Sequence, residues 1–196
     1  MKSLLAVAVL ALVVGTMSAA PAGIPVVLDT DVGADVGDAF ALALASPELH
    51  LVGVTIVGRG PGRDPFVRHI STDRDEDRAW LVCRFLTQAG RKDIPVAAGA
   101  DPPPASPLDW QVQYRCHPAA IFNRTLKPVK ESAVELLARL AAEHDGALTV
   151  IALGPLTNVA RLINEHPAAA KKLRRVVVMG GSVAVGYEGK PKAEVE

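Results

Sequence analysis

A chain of 196 residues with 49% hydrophobic and 21% charged side chains holds enough apolar material for one packed domain and too much for a disordered one. Basic and acidic side chains balance at 21 each, which removes any electrostatic reason to expect nucleic acid or an anionic membrane as partner.

Residues 1–22 are set apart from the fold. Lys2 precedes an apolar run over 4–14, and small residues follow over 15–23. That is the layout of a secretory signal peptide. The run is short for a membrane span, no Cys follows it, and both 18–20 and 20–22 offer small-residue cleavage contexts. The expectation is export to a periplasmic or extracellular compartment, with the folded domain over 24–196.

Residues 25–28 are all apolar and suit a strand buried on both faces of a parallel sheet. This strand is expected to run into a loop holding Asp29, Asp31, Asp35 and Asp38, with a helix over 38–49 closing near Ser46-Pro47. A second apolar strand over 51–57 completes a strand–helix–strand unit, the mark of a parallel α/β sheet. Gly and Pro make 59–65 a loop. A helix is predicted over 75–88, its apolar face carrying Trp80, Leu81, Val82, Phe85 and Leu86, with Gly90 as its stop. Cys83 falls inside that pattern and reads as a small core residue; Cys116 falls in a polar loop. A short strand over 94–98 precedes a long irregular stretch, 99–124, with Trp110, Tyr114 and His117.

Ser132-Ala-Val-Glu135 is a capping box, opening a helix that runs to about His144 and stops at Asp145-Gly146. Strands follow over 148–153 and 176–179. Between them lie a helix entered through Gly154-Pro-Leu-Thr-Asn158 and a short helix opened by Pro167. The last turn of the short helix is expected to hold Lys171, Lys172, Arg174 and Arg175. Taken alone, Thr157 and Asn158 read as capping residues. The sum is an α/β fold, an open and mostly parallel sheet flanked by helices. The sheet reads as unfinished at Glu196, as in part of a longer chain.

The chemistry concentrates in residues 29–38, where four aspartates stand without a Lys or Arg among them. Such carboxylates repel one another unless positive charge joins them, and a hard divalent cation with oxygen ligands is the simplest remedy. Helix capping would account for one Asp but not for four. A calcium hand loop is excluded, because the twelfth position from Asp29 is Phe40, where a bidentate carboxylate is needed. Ligands in open α/β sheets bind beyond the carboxyl ends of the strands. The aspartate stretch, the Gly154-Pro155 turn and Gly180-Gly181 all fall at such ends.

The same residues carry a resemblance. Asp29-Thr-Asp-Val-Gly-Ala-Asp-Val-Gly-Asp-Ala39 resembles the aspartate signature of the nucleoside hydrolases, the inosine/uridine-type N-ribohydrolases. The likeness continues through 51–57, 90–99, 153–158 and 175–181, covers about 24–196, and is weakest over 59–74 and 100–130. The resemblance implies a calcium site, hydrolysis of the N-glycosidic bond of a ribonucleoside, and homo-oligomers. Matched by motif, it implies Asp31 as calcium ligand and general base, Asp38 as a second ligand and the Leu153 carbonyl as a third. It implies Met179 lining the ribose, and Glu194 or else Glu196 on the ribose hydroxyls. His117 is a candidate acid for the departing base on chemical grounds alone, although a lone loop histidine is more often simply solvated.

The chain also departs from the family pattern. Gly37 stands where the first of two adjacent aspartates holds the ribose diol, a role Asp35 would then take. The usual Asn beyond the second strand is replaced around Arg59, and Val195 breaks the Glu-aromatic-Asn motif after Glu194. The family's C-terminal His-Asp pair, whose Asp completes the calcium shell, has no counterpart. These departures keep open a relative that binds calcium or a nucleoside without turnover. A magnesium phosphohydrolase of the haloacid dehalogenase type, with Asp29 as nucleophile and Asp31 as acid, is a further alternative; Gly33 and the Gly-Pro-Leu-Thr-Asn turn count against it.

Overall fold

The computed structural model describes residues 23–32, 44, 46–57, 75–99 and 126–180. Five strands form one sheet: β1 (Ile24–Thr30), β2 (Leu49–Ile56), β3 (Val96–Ala98), β4 (Thr149–Ala152) and β5 (Arg175–Val178). Their order across the sheet is β3-β2-β1-β4-β5, and every pairing is parallel. The described helices are α1 (Asp75–Gln88), α2 (Ala133–Glu143), α3 (Thr157–Glu165) and the single turn α4 (Pro167–Ala170).

The opening apolar stretch becomes the central strand because its side chains find apolar cover on both faces. Val26 and Leu28 pack with Leu51, Val54 and Ile56 of β2 and with Ala79, Val82, Cys83 and Leu86 of α1. Val27 points to the other face, among Val150 and Ala152 of β4, Val134, Leu137 and Leu140 of α2, and Val159 and Leu162 of α3. The alternation follows from the two-residue period of a strand. Leu137 is fully buried, so truncation to Ala would cost about 2–5 kcal/mol.

Local signals set the helix ends. At α2 the Ser132 N–H donates to Glu135 Oε2 at 2.7 Å, and the Glu135 N–H donates to Ser132 Oγ at 3.3 Å. That is the reciprocal capping box the sequence predicts. Gly90, at φ +73°, reverses the chain after α1, and the Arg91 N–H returns to the Leu86 carbonyl at 2.8 Å.

Several boundaries differ from expectation. The first strand continues through Asp29 and Thr30, so Asp29 is a strand residue with its side chain in the interior rather than a loop residue. β2 begins at Leu49, where the preceding helix was expected to end, and residues 46–48 are not helical; Leu44 is helical, and 38–43 and 45 lie outside the described residues. The third strand is shorter than predicted, starting at Val96. The helix opened by Pro167 ends at Ala170, so Lys171, Lys172 and Arg174 follow it and Arg175 starts β5. Alanines with little to bury sustain only one turn there.

Candidate active site

Parallel strands deliver their carboxyl ends to one edge of the sheet. At that edge β1 contributes Asp29 and leads into Asp31, β2 ends at Ile56, β3 at Ala98, and β4 leads through Leu153 into the Gly154 turn. Backbone hydrogen bonds hold these ends in step. The Val57 N–H donates to the Thr30 carbonyl at 3.1 Å, Leu153 to Asp29 at 2.8 Å, and Met179 to Ala152 at 2.9 Å.

Asp29 is fully buried. Its Oδ1 accepts from Thr55 Oγ1 at 2.7 Å and from Asn158 Nδ2 at 2.9 Å. Asn158 Nδ2 also donates to the Ile56 carbonyl, at 3.0 Å. Asp29 Oδ2 and Asn158 Oδ1 are buried without a partner among the described residues. Burial pushes the Asp29 carboxyl up to about 6, against the lowering by Asn158 and Thr55; the neighbouring Asp31 adds a smaller upward push.

Asp31 stands one residue past β1, nearly buried. Its neighbour is the turn after β4: a Cβ added to Gly154 would meet the Asp31 Cβ and Cγ at 3.1 Å. Glycine therefore brings this turn against the carboxylate where any other residue would crowd it. Arg78 of α1, also buried, reaches the same place. Its Nη1 donates to the Asp31 carbonyl and, at 3.1 Å, to the Val32 carbonyl, tying down backbone acceptors that the strand no longer pairs.

Residues 26–195 match the family model described as inosine-uridine preferring nucleoside hydrolase. The chain belongs to this family. Curated relatives include the pyrimidine-specific ribonucleoside hydrolase RihA of Enterobacter sp. (strain 638), 38% identical over 167 residues, covering 83% of this chain and 50% of the relative. The RihA of Citrobacter koseri is 36% identical over the same length and shares. Among solved structures, the plant nucleoside hydrolase PpNRh1 superposes with a TM-score of 0.63 at 29% identity, over 86% of this chain and 51% of that one. The purine-preferring ribonucleoside hydrolase from Gardnerella vaginalis has a TM-score of 0.61 at 21% identity, over 85% and 52%, a likeness of fold alone. The chain spans about half the length of the curated relatives it matches.

Within this chain, Asp31, Leu153 and Met179 all fall at the carboxyl edge of the sheet. Asp31 is held against the turn that follows Leu153, and Met179, 44% exposed, follows β5. Asp35, Asp38, His117, Glu194 and Glu196 lie outside the described residues. Family membership attaches the aspartate stretch to nucleoside hydrolases and leaves the haloacid dehalogenase alternative without support.

Sequence reasoning overlooked three contributors. Asn158 is not a cap: α3 is capped at Leu156 without a side-chain bond, and the Asn158 amide turns inward to Asp29. Thr55 was hidden among strand residues, although Thr in an otherwise apolar buried strand is a signal that some polar group needs a partner. Arg78 left no trace, since it sits among the charges of Asp75-Glu-Asp-Arg78, which look like an ordinary solvated helix start.

Proposed function

We propose that this protein hydrolyses the N-glycosidic bond of ribonucleosides to ribose and free base, with calcium bound beside Asp31. The observation that carries the reading is the Asp31 carboxylate at the end of the central strand, pressed against Gly154, in a chain matched along most of its length by a nucleoside hydrolase family model.

The donors at hand suit a hard cation. The Asp31 carboxylate and the Leu153 main-chain oxygen are oxygen ligands, as calcium prefers. The missing Cβ of Gly154 leaves that side of the carboxylate uncrowded. Asp38 would be the third ligand. Among the described residues no set of three or more His, Cys, Asp or Glu gathers as a metal centre, so the shell needs the aspartates further along the stretch. When bound, calcium supplies positive charge that acidifies and orients a water near the ribose.

The chain's own groups account for the other steps. Asp31 takes the proton of the attacking water as its oxygen bonds to C1′ and the bond from C1′ to the base breaks. The sugar passes through an oxocarbenium-like state that carboxylates stabilise. Asp35, Glu194 or Glu196 hold the ribose hydroxyls and Met179 lines the sugar. His117 protonates the departing base. Uridine and cytidine are the first substrates to try, because the curated relatives are named pyrimidine-specific.

The test is free ribose released from uridine, cytidine and inosine in the presence of calcium. Release that a chelator abolishes supports the reading. Gly37, where the family has an aspartate, favours binding without turnover as the second reading; calcium binding with no ribose from any nucleoside would select it. Export through residues 1–22 belongs to the same proposal and is tested by sequencing the N-terminus of the protein recovered from outside the cytoplasm.

A further inference from the structure

We propose that Asn158 is a positioning residue for Asp31: its amide locks the carboxyl ends of β1 and β2 together and thereby fixes where the Asp31 carboxylate stands. The proposal rests on the ribonucleoside hydrolase reading for its effect on catalysis, and on geometry alone for the lock itself.

Four elements converge on this one amide. Both Nδ2 hydrogens are used, one on Asp29 Oδ1 of β1 and one on the Ile56 carbonyl that ends β2. Asp29 pairs in register with Thr55, whose hydroxyl completes the bridge between the two strands. The end of β3 supplies the room. A Cβ on Gly99 would meet the Ile56 carbonyl oxygen at 2.2 Å and Asn158 Oδ1 at 2.7 Å, so the amide fits only because position 99 is bare. A buried strand-end carbonyl needs a donor, and here a side chain from α3 provides it.

Two routes connect the lock to Asp31. Asp31 lies two residues beyond Asp29 and one past the end of β1, so fixing Asp29 fixes the backbone that leads into Asp31. The Gly154 turn that abuts Asp31 leads directly into α3, and Asn158 ties the first turn of that helix to β1. Removing the amide frees the position of Asp31 from both directions. Displacements on the order of 1 Å at a reacting group can cost about a hundredfold in rate.

The experiment compares the full chain with Asn158→Ala, the milder Thr55→Val, and Val134→Ala, a control in α2 that matches the stability loss away from this edge. Asn158→Ala should lower kcat for the nucleoside about ten- to a hundredfold with KM within about threefold. The amides of Val57 and Leu153, which bond across the strand ends beside Asp31, should exchange hydrogen faster. Thr55→Val should move both readouts the same way by less, and it decides the matter if Asn158→Ala does not fold. Val134→Ala should keep the parent kcat. The proposal is overturned if Asn158→Ala turns over as fast as Val134→Ala, or if Val57 and Leu153 exchange as in the parent. If the parent releases no ribose at all, the proposed function falls, while the exchange measurement still decides the lock.

Discussion

Asn158 Nδ2 lies 2.9 Å from Asp29 Oδ1, although 129 residues separate them in the chain. The contact joins the first turn of α3 to the central strand and ties Asp29, Thr55 and Asn158 into one buried polar cluster. A buried carboxylate is costly unless hydrogen-bonded, and two donors on one oxygen are what make this one tolerable.

The donors should therefore be worth measurable stability. Thr55→Val keeps the shape and removes the hydroxyl that reaches Asp29 at 2.7 Å. Hydrogen bonds to a charged group contribute about 1.5–3 kcal/mol. Urea unfolding should show a free energy lower by that amount, seen as a lower midpoint with an unchanged slope. An unaltered midpoint would mean that Asp29 does not depend on Thr55.

Two glycines separate close approach from mere smallness. At Gly99 a new methyl would run into the backbone oxygen of Ile56 and the Asn158 amide; at Gly53 the one close contact would be Leu140 Cδ1 at 2.6 Å, the end of a side chain that can turn, with Val27 and Leu136 at ordinary packing distance. Gly99→Ala should cost more than about 3 kcal/mol, and Gly53→Ala less than about 1.5, since a strand gains rigidity from Ala. Thermal unfolding of the two variants gives the ranking, and equal losses would contradict the packing described.

The parallel α/β architecture was legible because its signals are local: apolar runs at 25–28 and 51–57, the capping box at Ser132, and Gly90 after a helix. Half of the candidate site was legible for a similar reason, since Asp31 and the Gly154 turn both fall at strand ends. What the sequence concealed is long-range. Nothing in Leu-Thr-Asn158 distinguishes an amide that caps its own helix from one that crosses to Asp29, because the choice depends on the neighbouring Gly99 and Ile56. Arg78 is similar: only the folded position of α1 brings its guanidinium to the Asp31 and Val32 carbonyls.

The capping box gives a pH dependence with a definite sign. Donors from the Ser132 backbone, then its hydroxyl, hold Glu135 below the ordinary glutamate value of 4.5. A depressed folded value means stabilisation that is present above the unfolded value and lost as pH falls through the folded one. The stability difference between the parent and Glu135→Gln should be constant near neutrality and shrink once the pH drops below 4.5. A difference that grows in acid would show that the carboxylate is not the capping species.

The sharpest test of the chemistry ranks two substitutions. Asp31→Asn keeps the size of the side chain but removes the negative charge that holds a cation and the basicity that takes a proton, so ribose release should fall by at least about a thousandfold and calcium affinity should fall with it. His117→Ala removes only help to the departing base. Its effect should be smaller and should vary with the base, being least where the leaving group is already acidic. Ribose release from uridine and inosine by both variants, with calcium titrated calorimetrically, separates the roles. If His117→Ala were the more damaging and Asp31→Asn still bound calcium as the parent does, the reaction centre would have to be moved away from the end of β1.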